Sequence, residues 1–335
     1  MIDFKQIKRL LKQDNKKLPE VKVALLGDTA TQFLATAIKG VGVERGYNIN
    51  LFEAEYNQVE RQVLDPTSDL HQFAAKYTVV FQSTHKILET YSIKEASDWS
   101  KLCEERIQFV RTLCETAEGK IIYFNYPEID DTVFGQYANR TELSFTWQIR
   151  QLNCELMRLT QEYPNLFICD IAALQNQFGR EWMFDSSVYV STEMVLSLDA
   201  LPYVGSRVMD IICAIEGKFK KCLILDLDNT VWGGVVGDDG WENIQVGHGL
   251  GIGKAYTEFQ EWVKKLRNCL QQRKKMHNGD IRVISVCWEQ RGNCAFDYNR
   301  EKSGYLTVLF FLESPQILIC GESGAVPSIY YLNEV

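Results

Sequence analysis

The feature that most constrains the fold is a repeated order along the first 215 residues, in which an apolar run ends in polar residues and a helical segment follows. The predicted strands are residues 21–26, 47–53, 77–81, 121–124 and 165–169. The clearest predicted helices are residues 32–41, 97–117, 141–163 and 201–215. Strands that alternate with helices form parallel sheets, so we predict an α/β domain with its polar loops at the carboxyl edge of the sheet.

Residues 1–18 precede the first predicted strand and combine spaced apolar residues with many lysines. The spacing of Phe4, Ile7 and Leu10 predicts an amphipathic helix over residues 4–18, closed by Pro19. Such a helix could lie on a membrane surface or bind an acidic partner. We favour a helix that packs against the first domain and keeps its basic face in water.

A second domain is predicted from the length of the chain and from a charged joint. A chain of 335 residues holds two domains of ordinary size. Residues 216–221 are mostly charged and follow the last predicted helix of the first domain. We therefore expect a first domain over residues 19–215 and a second, also α/β, over residues 216–335.

Charge and cysteine content exclude several classes of function. With 36 Lys and Arg against 44 Asp and Glu, the net charge is −8, which disfavours a nucleic-acid partner. No apolar run reaches the roughly 18 residues of a membrane span. The ten cysteines form no Cys-x-x-Cys pair, and the start lacks the apolar stretch of a signal peptide. We expect reduced thiols in a cytoplasmic protein, without a zinc site or disulfides.

Two aspartates follow the first predicted strand of the second domain. Asp226 and Asp228 are separated by one residue, so on an extended chain their side chains leave the sheet edge on the same face. Such a pair suits phosphoryl transfer, in which one carboxylate attacks phosphorus and the other handles the proton. A hard divalent cation such as Mg²⁺ would neutralise the charge.

A glycine-dense loop, residues 232–240, comes directly after the aspartate pair. It could be a plain hairpin turn or a flap that closes over a ligand. Because the aspartates lie just upstream, we favour an active-site cap.

Residues 223–266 closely resemble the FkbH-type branch of the haloacid dehalogenase (HAD) superfamily, the IIIC-like phosphatases, through the run LILDLDNTVWGGVVGDDGWENIQVG and the later GKAYTEFQEWVKKL. The resemblance implies a HAD-like Rossmannoid domain that uses Mg²⁺. It also implies that Asp226 is the nucleophile and a metal ligand. Asp228 would be the general acid/base, with its backbone carbonyl on Mg²⁺. Thr230, Gly233 and Gly234 would bind substrate, and Asn229 would help to steady the loop.

The first domain resembles the N-terminal half of longer FkbH-type proteins, which has an SGNH-hydrolase-like, flavodoxin-like sheet. An SGNH enzyme needs a serine after Gly-Asp and a late Asp-x-x-His. Here Thr29 holds the first position, and no histidine follows Asp185 before the second domain. We therefore expect a catalytically silent binding or docking module. Asn125 would line the old pocket, and His85 would either bind a ligand or be purely structural.

The resemblance is lost after Asn268. FkbH-type proteins continue with a strand ending in Ser-Lys-Asn and later an Asp-Asp motif that completes the metal site; neither is present here. Glu313 stands where the first of those aspartates belongs and is our third candidate Mg²⁺ ligand. Residues 269–335 are read as a diverged remnant or as the product of a shifted reading frame.

Two functions follow from these expectations. The first is a Mg²⁺-dependent HAD-type phosphatase or phosphotransferase acting on a phosphorylated small molecule. The resemblance to FkbH-type proteins implies, as a possible reaction of such an enzyme, the transfer of a glyceryl group to an acyl carrier protein. The alternative is a catalytically impaired module that keeps the fold and binds a carrier protein or another partner.

Overall fold

The computed structural model describes residues 2–218, 222–225, 227–277, 282–284, 309–311, 317–322 and 327–331. The chain divides into two compact units, residues 1–217 (unit 1) and 218–335 (unit 2). None of the described helices combines the length and apolar character needed to cross a bilayer.

Unit 1 is built on a five-stranded parallel sheet in the order β2-β1-β3-β4-β5. Its strands are β1 (Glu20–Gly27), β2 (Asn48–Glu53), β3 (Tyr77–Phe81), β4 (Lys120–Phe124) and β5 (Leu166–Cys169). This is the doubly wound order 2-1-3-4-5, whose strand order reverses between β1 and β3. The predicted α/β fold with a parallel sheet is confirmed.

Helices connect these strands and cover both faces of the sheet. They are α1 (Phe4–Leu10), α2 (Gln32–Glu44), α3 (Val59–Leu64), α4 (Asp69–Phe73), α5 (Thr84–Ser92), α6 (Leu102–Thr116), α7 (Phe145–Glu162), α8 (Ala172–Phe178), α9 (Arg180–Met183), α10 (Ser186–Thr192) and α11 (Ala200–Ile215), with 3₁₀ turns at Ala96–Lys101 and Gly135–Arg140.

Alternate residues of each strand enter two separate cores, one on each face of the sheet. In β1, Val23 and Leu25 pack with α2 and α11, whereas Ala24 and Leu26 pack on the opposite side with α6 and α7. The alternation follows from the period of two along a strand. Because both faces are covered, the strands read as continuous apolar runs rather than as alternating patterns.

The first helix is shorter than the sequence predicts. It covers Phe4–Leu10 instead of residues 4–18, and the side chain of Ile7 on this helix is fully buried. The Asn15 side chain donates a hydrogen bond of 3.0 Å to the Leu10 carbonyl, so that carbonyl is satisfied without a further helical turn. The expected helix over residues 4–18 is therefore wrong in its second half.

Unit 2 contains β6 (Cys222–Leu225), α12 (Val236–Asp239), α13 (Ile252–His277), β7 (Arg282–Ile284), β8 (Leu309–Phe311), β9 (Ile317–Glu322) and β10 (Pro327–Tyr331). Strand β9 pairs in parallel with β6 and antiparallel with β10, while β7 and β8 pair with each other. A small core forms around Leu223 and Leu225 of β6, Val231, Trp232 and Val263 of α13. This core carries the loop that follows β6.

Candidate active site

Strand β6 leads into the loop that carries Asp228. Leu223 and Leu225 are buried in the core of unit 2, and the chain leaves the strand directly after Leu225. Asp226, the expected nucleophile, lies outside the described residues, as does Glu313. Asp228 is described and is half-buried at the start of the loop.

Two donors hold one oxygen of the Asp228 carboxylate. Its Oδ1 accepts hydrogen bonds from the indole Nε1–H of Trp232 at 3.0 Å and from the backbone N–H of Val236 at 3.2 Å. Within the described part of the chain, no hydrogen bond reaches Oδ2. The described residues thus fix the carboxylate through one oxygen and leave the other without a hydrogen bond from among them.

A tight turn follows Asp228 and explains the next two residues. The Leu227 carbonyl accepts the N–H of Val231 at 2.8 Å, and Asn229 adopts a left-handed conformation with φ of 53°. Asparagine tolerates this region better than most residues. Its Oδ1 accepts the Gly234 N–H at 2.7 Å, which locks the loop.

Thr230 is almost fully buried, with 1% of its surface exposed. Its Oγ1 has no hydrogen-bond partner among the described residues. A buried hydroxyl without a partner among the described residues is uncommon in native structures. The expected substrate-binding role of Thr230 stays a prediction.

The two predicted substrate-binding glycines also have backbone roles. Gly233 pairs with Gln245 through hydrogen bonds of 3.1 and 2.7 Å, and a Cβ at Gly233 would lie 2.8 Å from the Tyr256 ring. Gly234 has φ of 98°, which other residues rarely adopt. The pairing with Gln245 has the form of a hairpin, so small size and backbone freedom account for both glycines. Their contact with a substrate stays a prediction.

Helix α13 supports this loop through residues that the sequence analysis did not single out. Gln260 donates to the Val231 carbonyl at 2.9 Å, and the Tyr256 hydroxyl approaches the Asn229 carbonyl at 3.5 Å. Tyr256 and Gln260 are four residues apart, which places them on one face of the helix. Two spacings in the sequence could have pointed to these supporting residues. One is the four-residue spacing of Tyr256 and Gln260, and the other is the position of Trp232 four residues after Asp228.

In unit 1, two residues of the expected SGNH-type site, Asp185 and Asn125, have structural partners. Asp185 caps α10 by accepting the N–H groups of Ser187 and Val188 at 3.0 and 3.2 Å, and Val188 occupies the place that a histidine would need. Asn125 accepts the Ile171 N–H at 2.8 Å and donates to Asp170 at 2.7 Å. The Asn125 contacts tie the ends of β4 and β5 together.

Metal-binding geometry is not assembled within the described residues, where no group of three or more His, Cys, Asp or Glu side chains could hold an ion. The oxygen donors expected at the end of β6 are nevertheless the kind that Mg²⁺ prefers. The Asp228 Oδ2, without a partner in the described structure, is compatible with that use.

The chain matches a protein family and is similar to solved structures. The family described as "FkbH, N-terminal domain" matches residues 22–213, more than half of the chain. The chain is similar to the crystal structure of the N-terminal part of BF1531 from Bacteroides fragilis, which contains a phosphatase domain and is complexed with Mg. The two are 65% identical, with a TM-score of 0.78, over 80% of this chain and 71% of that chain.

Other solved structures are only distantly similar. The catalytic domain of peptidoglycan O-acetyltransferase A from Streptococcus pneumoniae is 10% identical over 60% of this chain and 96% of that chain, with a TM-score of 0.35. The acetyl xylan esterase AlAXEase is 13% identical over 57% of this chain and 100% of that chain, with a TM-score of 0.39. Scores this low do not establish a shared fold. None of the curated proteins compared with the chain matches it.

Proposed function

This chain belongs to the FkbH family, and from that premise we propose that it is a Mg²⁺-dependent phosphatase or phosphotransferase of the HAD type that acts on a phosphorylated small molecule. The observation that carries the proposal is Asp228, held at the carboxyl end of β6 by Trp232 and Val236 with one oxygen left for chemistry. The 65% identity to a structure that contains a phosphatase domain complexed with Mg supports it.

The reaction would proceed through an aspartyl-phosphate. A carboxylate oxygen of Asp226 attacks phosphorus, and the bond between phosphorus and the leaving oxygen breaks while Asp228 protonates that oxygen. Asp228 then takes a proton from a water molecule, whose oxygen attacks the aspartyl-phosphate and releases inorganic phosphate. In a transferase, an acceptor hydroxyl replaces the water.

Four residues of this chain would hold the phosphoryl group and the cation. Asp226, Glu313 and the Asp228 backbone carbonyl would ligate Mg²⁺, which supplies positive charge against the carboxylates and the phosphoryl oxygens. The unpartnered Thr230 hydroxyl would donate a hydrogen bond to a phosphoryl oxygen.

The experiment is phosphate release from p-nitrophenyl phosphate with and without Mg²⁺. Asp226→Asn and Asp228→Asn should each lower the rate by about 10²–10⁴-fold, because the nucleophile or the proton donor is lost. Asp69→Asn, an exposed residue of α4 in unit 1, is the matched control and should retain the wild-type rate. Equal rates in wild type and Asp226→Asn would reject Asp226 as the nucleophile.

Absence of phosphate release from wild type would instead favour the second candidate, a partner-binding module. That candidate is favoured by the departure from the family pattern after Asn268. A pulldown with an acyl carrier protein separates the two, since binding without phosphate release supports the module.

Glyceryl transfer is the finer form of the proposal and rests on family resemblance. Its donor would be a three-carbon acid whose carboxyl carbon bears phosphate, and its acceptor the thiol of an acyl carrier protein. The C–S bond of a thioester would form as the bond between that carbon and the phosphate oxygen breaks, so that phosphate leaves and the thiol proton passes to a base. A mass increase of the carrier protein that depends on both the donor and Asp226 would support it. Phosphate release without modified carrier would leave a phosphatase and reject the transferase.

A further inference from the structure

Six cationic side chains are concentrated in the first 18 residues of a chain that is otherwise acidic. They are Lys5, Lys8, Arg9, Lys12, Lys16 and Lys17, which we call the basic face. Residues 1–18 contain only two acidic side chains, so their net charge is +4, whereas the whole chain carries −8 and the remaining residues therefore −12. We propose that the basic face is a docking surface for an acidic segment of a partner protein, with carboxylates that pair with these cations and an apolar side chain that packs on the neighbouring Phe33.

The cations of the basic face are exposed and have no partners of their own. All six are exposed, and none forms an ion pair with another residue in the described part of the chain. Lys5, Lys8 and Arg9 are three and four residues apart, which places them on one face of α1. Nine lysines and arginines elsewhere in the described part of unit 1 do form ion pairs. The basic face therefore has positive charge left for a partner.

The helix that carries the basic face is fixed on unit 1. Ile7 is fully buried, and a Cβ at Gly40 of α2 would lie 2.4 Å from its Cγ2, so the two helices are in close contact. At the start of α1, Asp3 and Gln6 each accept the backbone N–H of the other, at 2.7 and 2.8 Å. The Asn15 side chain caps the other end. Because the scaffold is already ordered, a partner that binds the basic face loses less conformational entropy.

An aromatic pair borders the basic face. The rings of Phe4 and Phe33 meet edge to face with their centroids 5.6 Å apart, and Phe33 is 42% exposed. The Lys8 ammonium nitrogen lies 5.2 and 5.6 Å from the two ring centroids. Positive charge and exposed apolar surface are thus side by side. A segment that combines carboxylates with an apolar side chain would contact both.

The packing of α1 favours a protein partner over a membrane. An interfacial helix inserts its apolar face among lipids. Here Ile7 is buried, and Phe4 and Leu11 pack against the core of unit 1, so only the cations remain for binding. An extended anionic bilayer would also repel the negative charge carried by the rest of the chain. A compact acidic segment meets less of that repulsion, because charges beyond the Debye length are screened.

Fluorescence anisotropy of a labelled peptide, titrated with the full chain, tests the proposal. The probe is the peptide AEELAEELAEELAK, which combines glutamates and leucines in a helix-forming sequence. Its uncharged counterpart is AQQLAQQLAQQLAK. The glutamate peptide should bind saturably and lose affinity as salt is raised from about 0.05 to about 0.5 M, because salt screens exposed charges. The glutamine peptide should not bind.

Charge reversal locates the binding surface. The double variant Lys5→Glu/Arg9→Glu should weaken binding of the glutamate peptide about tenfold, because two attractions become repulsions. The matched control is Arg140→Glu/Arg158→Glu, which makes the same change in net charge at exposed positions elsewhere in unit 1. The control should bind within about twofold of wild type.

Truncation of an aromatic ring tests the apolar part of the surface. Phe33→Ala should weaken binding about threefold, because apolar contact area is lost. Tyr137→Ala, at a ring that is 59% exposed, is its control and should bind like wild type.

Three results would overturn the proposal. The first is equal affinity of wild type and Lys5→Glu/Arg9→Glu, and the second is equal weakening by the control pair. The third is saturable binding of the glutamine peptide. Cosedimentation with phosphatidylserine vesicles that is lost in Lys5→Glu/Arg9→Glu, without binding of the glutamate peptide, would assign the basic face to a membrane instead.

Discussion

Each unit places an aspartate and a threonine just past the carboxyl end of a strand, and the two units use them differently. In unit 1, Asp28 is buried and both of its oxygens accept from one backbone N–H, that of Ser83. In unit 2, Asp228 is half-buried and only Oδ1 is held within the described residues. The following threonines, Thr29 and Thr230, are alike in being buried with a hydroxyl that has no hydrogen-bond partner in the described part of the chain.

The contrast shows that position at a strand end does not decide what an aspartate does. Burial and two oxygens directed to the backbone make Asp28 a structural carboxyl that joins β1 to β3. Partial exposure and one remaining oxygen suit Asp228 to proton transfer. The number of carboxylate oxygens already bonded among the described residues, rather than the position at a strand end, separates the two aspartates.

The largest effect expected from this contrast is the pH dependence of local stability around Asp28. Burial raises the pKa of Asp28 to about 7, so the folded state holds a proton there more tightly than the unfolded chain does. The stabilisation that the protonated Asp28 carboxyl provides is therefore complete below about pH 4 and is lost as the pH rises to about 7. The Asp28→Asn side chain cannot ionise. The stability of the variant relative to wild type, measured as protection of the β1 and β3 amides from hydrogen exchange, should therefore increase between pH 4 and 7, on the order of 2–4 kcal/mol by linkage.

Hydrogen exchange of the β1 and β3 amides, compared between wild type and Asp28→Asn at each pH, measures this difference. Comparison at matched pH removes the intrinsic pH dependence of exchange. A constant difference across pH 4–7 would mean that Asp28 is ionised throughout, and the distinction between the two aspartates would fail.

The hold of Trp232 on Asp228 gives the next largest effect. Trp232→Phe keeps an aromatic ring in the buried position and removes the N–H that donates to Asp228 Oδ1. We expect kcat for phosphate release to fall about tenfold, with a smaller change in KM, because a positioning bond is lost while substrate contacts remain. Trp262→Phe, on the half-exposed face of α13, is the matched control. An unchanged kcat would show that Val236 alone suffices.

The smallest predicted effect tests whether Gly233 is structural. Gly233→Ala brings a Cβ within 2.8 Å of Tyr256 and should destabilise unit 2 by about 1 kcal/mol. Gly237→Ala is the control, because nothing lies within 4 Å of a Cβ there. Thermal unfolding of both variants measures the difference. If Gly233→Ala unfolds like wild type but loses activity, the glycine serves the substrate rather than the fold.

Local pattern was a good guide to the elements of unit 1. Strand β3 covers Tyr77–Phe81 as predicted, since a β-branched run bounded by polar residues is a local signal. The first helix was overextended because lysines and leucines continue past Leu10, and the side-chain cap from Asn15 cannot be read from periodicity. The predicted helix over residues 97–117 begins instead with a 3₁₀ turn at Ala96–Lys101.

The sequence by itself determined that apolar strands end in polar residues, that Asp28 and Asp228 stand at two such ends, and that the chain resembles FkbH proteins. Only the tertiary structure decided which atoms those aspartates contact. The Asp28 partner, Ser83, is 55 residues away and reaches it because β1 and β3 are neighbours. Trp232 is four residues from Asp228, yet it meets the carboxylate through a left-handed Asn229 and a buried ring. Periodicity is a local property, whereas burial and hydrogen-bond partners depend on strand order and on the turns that join the strands.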